Sequence, residues 1–311
     1  MSQSMPSTAV LLMAYGTPRD PDEIEAYYTD IRRGRPPTPE ALADLVARYD
    51  AIGGISPLAE LTEAQRDALQ AALDERSPGA YRVELGLKHA DPKIEQTASE
   101  LVAAGVSRIV GLVLAPHYSS YSIGQYLDRT RSVADPAGVE VLGVDSWATE
   151  EAFVDFIAND LAQRRAAMPD GAHVWFTAHS LPQRIIDAGD PYPDELTSTA
   201  DAVAARVGLS PDEYSIAWQS AGRTPEPWLG PDVLDVIDDA ATRGVPGVII
   251  SSVGFVADHL EVLYDLDIEA RARAEGHGLA FARTACVNAD PAVMGALAQR
   301  VIDLCGDAAT P

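Results

Sequence analysis

Glu261, Asp265 and Glu269 recur every four residues in the segment GFVADHLEVLYDLDIEA, so a helix there would carry them along one slowly drifting stripe. Like charges at that spacing cost a helix roughly a few tenths of a kcal/mol each. The stripe is therefore either a solvated acidic face or a row of hard oxygen ligands leading a divalent cation, or protons, toward Glu261. His179 closes the apolar run AHVWFTAH just ahead of Leu181-Pro182, so the backbone determines where its imidazole sits. With a reference pKa near 6.5, such a ring can accept a proton or offer a neutral nitrogen to a metal; the plainer alternative is a hydrogen-bonded structural histidine. Arg32, Arg33, Arg35 and Arg48 form the one dense basic group, accompanied by Tyr27, Tyr28 and Tyr49. They could pair with Glu23, Glu25 and Asp50, or line a cleft for a flat, carboxylate-bearing ligand through bidentate hydrogen bonds.

Other chemistries lack their signatures. There is no GxGxxG fingerprint, Walker P-loop, HExxH or GxSxG in the chain. Of 311 residues, 23 are Lys or Arg and 47 Asp or Glu, a net charge of −24, and the lysines are only Lys88 and Lys93. So acidic a surface repels nucleic acid and anionic lipid, which excludes both as expected partners. Cys286 and Cys305 cannot make a disulfide framework or a four-cysteine metal site. The longest apolar run, 109–116, is far below the roughly 18–20 residues that span a bilayer. MSQSMPSTAV has no basic stretch ahead of an apolar one, so the expectation is a cytoplasmic protein without a leader.

The elements that must position these residues alternate along the chain. Strands are expected near 8–14, 81–87, 108–115, 139–145, 172–178, 213–219, 247–253 and 279–285, with helices between them, as over 91–104 and 231–243. Nearly continuous apolar strands linked by helices indicate α/β architecture with parallel sheets covered on both faces. DPKIEQTASELVAAGVSRIVGLVLAP from Asp91 and DVLDVIDDAATRGVPGVIISSVGF from Asp232 share one pattern of helix, Gly-Val turn or its equivalent, and buried strand. Two similar Rossmann-like lobes, each a four-stranded parallel sheet flanked by helices, follow from that repeat. The first lobe is expected over 1–165, with a helical insertion at 16–80 (helices near 22–32, 39–50 and 60–76) forming a cleft wall. The second is expected over 166–311, with the last helix available to pack back on the first.

Ligands of open parallel sheets bind beyond the carboxyl ends of the strands. Those ends carry Tyr15-Gly16-Thr17-Pro18, Lys88-His89, His117 with the Tyr/Ser run after it, His179, and Asp258-His259-Leu260-Glu261. Four of the six histidines therefore fall at or just past a strand end.

The blocks LLMAYGTP, RRGRPP, RYDAIGGISPL, LAPHYSSYS, TAHSLP and GFVADHLEVLYDLD, in this order and over nearly the whole chain, resemble the ferrochelatases. The tyrosine of AYGTP and the arginine-rich RRGRPP are similar to the coproporphyrin ferrochelatases of Gram-positive bacteria. Protoporphyrin-using relatives usually have a glycine-rich block in place of Tyr15 and an apolar membrane-facing lip that is not seen in this sequence. The resemblance implies a chelatase-like fold and insertion of Fe2+ into coproporphyrin III, giving coproheme in heme biosynthesis. It implies that His179 and Glu261 are the catalytic and metal-handling pair facing the macrocycle centre, with Asp265 and Glu269 as the outer acidic row. Tyr15 would lie on the opposite face as an axial ligand of the product iron, while Arg32, Arg48, Tyr49, Ser56 and Tyr126 would hold the propionates and the macrocycle edge.

Iron is then a substrate and no organic cofactor is expected; two cysteines cannot supply the [2Fe–2S] cluster that some relatives carry. The expected partners are coproporphyrin III and Fe2+, with hand-over to downstream heme-pathway enzymes, no membrane, and a monomeric state. Insertion into protoporphyrin IX, a non-catalytic tetrapyrrole or metal carrier, and a sirohydrochlorin-type chelatase are the alternatives.

Overall fold

From Ala9 to Met13 every side chain is wholly buried, which suits only the interior of a sheet covered on both faces. In the computed structural model, which describes residues 6–222 and 224–307, this run is strand β1 (Thr8–Ala14). The stretch read for a leader begins in residues 1–5, outside the described ones. Three helices follow β1: α1 (Ile24–Ile31), α2 (Pro39–Ala51) and α3 (Leu58–Arg76). The first is stopped by left-handed backbone at Arg33 and Gly34, φ 57° and 79°. The second starts where the Thr38 hydroxyl accepts from the Ala41 N–H with Pro39 in the first turn. Then come β2 (Tyr81–Leu87), α4 (Ile94–Ala103), β3 (Arg108–Val113), α5 (Ile123–Ala134) and β4 (Glu140–Val144). The strands form one parallel sheet in the order β2-β1-β3-β4.

The second sheet repeats that order. Its strands are β5 (His173–His179), β6 (Tyr214–Gln219), β7 (Gly247–Ser251) and β8 (Ala280–Arg283), arranged in parallel as β6-β5-β7-β8. Helices α6 (Glu151–Ala166), α7 (Gln183–Asp187), α8 (Tyr192–Val207), α9 (Val233–Thr242), α10 (Leu260–Leu263) and α11 (Arg271–Gly276) accompany it. The internal resemblance extends to single hydrogen bonds. Leu87 N–H donates to the Pro92 carbonyl ahead of α4, and Trp218 N–H donates to the Pro231 carbonyl ahead of α9. Trp175, Ile237, Val248, Ile250 and Leu266 belong to one buried apolar cluster of this half.

The chain divides into two compact units. The first runs to Ala115, resumes over Ser120–Ser146, and takes in the chain from Asn288, including the last helix α12 (Pro291–Asp307), which packs on α3 and β4. The second comprises Pro116–Ser119 and Trp147–Val287. The division thus lies at 146–147, ahead of α6, and not at 165–166, because α6 packs on α8 and β7 of the second unit.

His117, in the short segment of the second unit, is a structural histidine. Its Nε2 lies 2.8 Å from the Thr199 hydroxyl, and that hydroxyl donates in turn to the Ala148 carbonyl, so Nε2 carries the proton. Burial lowers its pKa from 6.5 to about 3. The unfolded chain therefore takes up a proton near pH 6.5 that the folded chain refuses until about pH 3. Stability from this group is complete above that window and is lost as pH falls through it, with His89 and His173, also lowered by burial, adding to the loss. Urea midpoints should fall from pH 6.5 toward pH 4, and His117→Gln should flatten the slope; an unchanged slope would remove His117 from the acid sensitivity.

Candidate functional site

β5 ends in His179, in register with Gln219 at the end of β6. The Nδ1–H of His179 donates to the Ser180 carbonyl, which can only accept, so the lone pair of the neutral ring is on Nε2. That Nε2 lies 3.8 Å from Glu261 Oε1. His259 is set the same way: its Nδ1–H donates to the Ala257 carbonyl at 2.9 Å, and its Nε2 lies 3.7 Å from Glu261 Oε2. Each carboxylate oxygen of Glu261 thus has an imidazole nitrogen near it. Two imidazoles and a carboxylate are a donor set suited to Fe(II) when the rings are neutral. Among the described residues no three His, Cys, Asp or Glu side chains are gathered into a cage for an ion; these three face one another in pairs.

Several buried contacts hold the pair in place. Gln219 is fully buried; its amide accepts from the Thr177 hydroxyl at 2.8 Å and donates to the Glu261 backbone carbonyl at 3.2 Å. The Tyr192 hydroxyl donates to the His179 carbonyl at 3.2 Å. Gly254 must lack a side chain, because a Cβ there would stand 2.4 Å from Ala178 Cβ and 2.6 Å from its Cα. That close approach carries the segment after β7 against the end of β5. Phe255 and Trp228 then sit 6.4 and 6.3 Å from the His179 ring, and Phe255 stacks on His259 at 4.8 Å. Aromatic surface beside this His–Glu pair suits a flat macrocycle.

The acidic row differs from one continuous α-helix. After α10, residues Asp265–Ala270 form a π-helix, with the Glu269 N–H donating five residues back to the Tyr264 carbonyl at 2.9 Å. The widened turn still leaves residues four apart near one face. Asp265 is 8% exposed and accepts from the Ser220 hydroxyl at 2.6 Å, so it does not belong to a solvated face. Glu269 is exposed. Burial, together with the charges of Asp235 and Glu269, raises the pKa of a further carboxylate, Asp232.

The first unit carries the other candidates. Tyr15, 43% exposed, follows β1 and its ring stacks 4.5 Å from His89, which follows β2. His89 Nδ1 lies 2.7 Å from Asp30, yet burial, outweighing that bond, lowers the ring's pKa to about 4. Tyr126 of α5 is buried, which raises its phenol pKa, and Lys88 lies 5.1 Å over its ring. Burial and the neighbouring Arg129 and Arg33 charges lower Lys88 to about 8. Ser56 accepts from the Leu58 N–H at 3.2 Å, opening α3, and buried Tyr49 lies 3.4 Å from the Thr17 hydroxyl.

The basic group is only partly neutralised. Arg48 pairs with Asp44, one turn back at 3.5 Å, rather than with Asp50. Arg32 and Arg35 donate to each other's carbonyls, and among the described residues neither they nor Arg33 has a carboxylate partner. Three arginines without carboxylate partners leave local positive charge on this loop of a chain whose net charge is −24.

A sequence model of the family described as Ferrochelatase matches residues 7–304. The chain belongs to the ferrochelatase family. A ferrochelatase of Herpetosiphon aurantiacus is 46% identical over 93% of this chain and 96% of its own. Coproporphyrin III ferrochelatases of Geobacillus kaustophilus and Bacillus subtilis are 45% and 43% identical, covering 95% and 96% of this chain and 95% and 97% of theirs. Among solved structures, SirB from Bacillus subtilis shares the fold with a TM-score of 0.59 at 13% identity, covering 97% of this chain and 96% of that one. The two parallel sheets are those of a chelatase-like α/β protein, and the chain is an enzyme of a family that inserts metal into porphyrin. Among the described residues, no helix is long and apolar enough to cross a membrane.

Within the ferrochelatase second unit, His179 ends β5, Glu261 lies in α10, and Asp265 and Glu269 lie in the π-helix, and the structure adds His259, Gln219 and Ser220 to them. His259 carried a signal in sequence, two residues before Glu261 and just past a strand. Gln219 and Ser220 carried only their place at the end of β6. In the first unit, Tyr15 follows β1, Arg32 follows α1, Arg48 and Tyr49 lie in α2, Ser56 lies just ahead of α3, and Tyr126 lies in α5.

Proposed function

We propose that the protein inserts Fe2+ into coproporphyrin III, releasing two protons and giving coproheme in heme biosynthesis. The observation that carries this reading is Glu261, with the lone-pair nitrogens of His179 and His259 at 3.8 and 3.7 Å from its two oxygens. Insertion requires that iron shed water and that two pyrrole N–H groups lose their protons. Neutral imidazole nitrogens can take protons or bind the iron, and Glu261 can complete an iron site or pass protons on to Asp265 and Glu269. The arginines at 32–35 and 48, with Tyr49, Ser56 and Tyr126, are assigned to the propionates, and Tyr15 to the product iron as an axial ligand.

Iron and porphyrin are both substrates, so the reading needs no resident cofactor and no [2Fe–2S] cluster. A tetracarboxylate is water-soluble and need not be collected from a membrane, which favours a cytoplasmic enzyme; the reading further assigns a monomer that passes coproheme to later heme-pathway enzymes. The curated relatives named for coproporphyrin III support the choice of porphyrin over protoporphyrin IX.

Anaerobic incubation with Fe2+ and coproporphyrin III should convert the free-base absorption spectrum to that of the iron chelate. Binding of the porphyrin without conversion would favour a carrier instead. In the same assay Glu261→Gln should lose about 100-fold or more. Asp265→Asn and Glu269→Gln, farther from the imidazoles, should lose about tenfold or less. Three equally silent variants would reduce the row to surface charge.

A further inference from the structure

We propose that Arg283 is a positioning residue for iron handling, holding the His259–Glu261 turn and the π-helix in fixed relation through one guanidinium shared by Asp258 and Asp267. This deepens the proposed function and rests on it. Arg283 is the last residue of β8, in register with Ile250 of β7, and its side chain is only 12% exposed. Its Nε donates to Asp267 Oδ1 at 2.9 Å and its Nη2 to Asp267 Oδ2 at 2.8 Å, a bidentate fork. The same Nη2 donates to Asp258 Oδ1 at 3.1 Å, and Nη1 donates to the Thr284 carbonyl at 2.9 Å. All three guanidinium nitrogens are therefore engaged.

The two carboxylates lie on the segments that matter. Asp258 immediately precedes His259, whose carbonyl accepts from Val262 and Leu263 N–H groups and opens α10 with Glu261 in its first turn. Asp267 stands in the π-helix between Asp265 and Glu269. Without the guanidinium, Asp258 would lose its 3.1 Å bond and Asp267 its bidentate fork, leaving Asp267 the longer 4.0 Å contact with Arg271, in a neighbourhood that already holds Glu261, Asp265, Glu269 and Asp232. Burial alone would lower the Arg283 pKa, but the Asp267 hydrogen bonds and the surrounding negative groups outweigh it and raise it. Burial and the Asp258 charge push the nearby Cys286 thiol up to about 12, so it meets the guanidinium as a neutral group.

A simple stabilising role fits this arrangement less well. Buried ion pairs are often no better for stability than apolar residues of the same volume, because desolvation offsets their attraction. What a rigid fork supplies beyond a point charge is geometry. A shift of about 1 Å in a reacting group can cost about 100-fold in rate.

The test compares wild type with Arg283→Lys, which keeps the charge and loses the fork, and with Asp267→Asn, which keeps Arg283 and weakens one arm. Steady-state iron insertion is measured at varied Fe2+ and at varied coproporphyrin III, with porphyrin binding followed separately by fluorescence quenching. Arg283→Lys should raise KM for Fe2+ and lower kcat, each about tenfold, with porphyrin Kd changed less than about twofold. Asp267→Asn should show the same pattern more weakly, and it decides the matter if Arg283→Lys does not fold. Unchanged KM for Fe2+ in the folded variants would overturn the proposal, whether kcat is normal or falls with both KM values constant, since the latter marks only a loss of active protein. A wild type that inserts no iron would overturn the functional reading itself, whereas an active wild type with wild-type-like variants overturns the role of Arg283 alone.

Discussion

Replacing His179 with alanine is expected to lower iron insertion by about 100-fold or more while leaving coproporphyrin III affinity within about twofold. The side chain stands at the end of β5, where its loss leaves the strand pairing with Gln219 intact. Its backbone carbonyl keeps the hydrogen bond from Tyr192, and Gly254 still packs on Ala178, so the variant should fold. What disappears is the Nε2 lone pair held toward Glu261 by the Nδ1 bond to Ser180. His259 retains its own nitrogen 3.7 Å from Glu261, so iron association need not vanish, but the site has lost one of two bases. Binding in this reading rests on the arginines and tyrosines of the first unit, which the substitution does not touch. Stopped-flow absorbance under anaerobic conditions, with porphyrin fluorescence quenching as the binding control, measures both quantities. A folded His179→Ala protein with near-normal turnover would take His179 out of the chemistry.

Eight strands and their parallel pairing were legible because each is a short, nearly unbroken apolar run closed by Gly, Pro, Ser or a histidine. The repeat was legible for the same reason, since α4 and α9 have 10 residues each and both are followed by a Gly-Val turn into a buried strand. The unit boundary was not, because α6 follows β4 without a composition break and only its packing on α8 assigns it to the second unit. The π-helix was also hidden. A four-residue spacing of carboxylates fits either helix, and the difference lies in which carbonyl Glu269 N–H reaches. The Arg48–Asp44 pair was readable from its i,i+4 spacing, whereas residues two apart, such as Arg48 and Asp50, do not face each other on a helix. Gln219 and Ser220 act through partners 42 and 45 residues away and Arg283 through partners 25 and 16 residues away, and nothing local distinguishes them from other polar residues at strand ends.

Coproporphyrin III is expected to exceed protoporphyrin IX in kcat/KM by about tenfold or more, because the proposed function assigns the arginines of the first unit to its carboxylates. The two porphyrins differ at two side groups, propionates in one and vinyls in the other. In a chain of charge −24, four propionates are repelled unless met by local cations. Arg32, Arg33 and Arg35 supply charge that no carboxylate of the described residues neutralises, and Arg48 meets Asp44 at the longer distance of 3.5 Å. A hydrogen bond to a charged group is worth about 1.5–3 kcal/mol, so losing even one propionate contact costs about tenfold or more. Arg32→Ala and Arg48→Ala should each weaken coproporphyrin III binding while affecting protoporphyrin IX less, narrowing the preference. Raising ionic strength should narrow it further, since these arginines are at most partly buried and are screened by salt. Equal or higher kcat/KM with protoporphyrin IX would overturn the porphyrin assignment and leave iron insertion by His179 and Glu261 standing, because that chemistry depends on the macrocycle nitrogens and not on its edge.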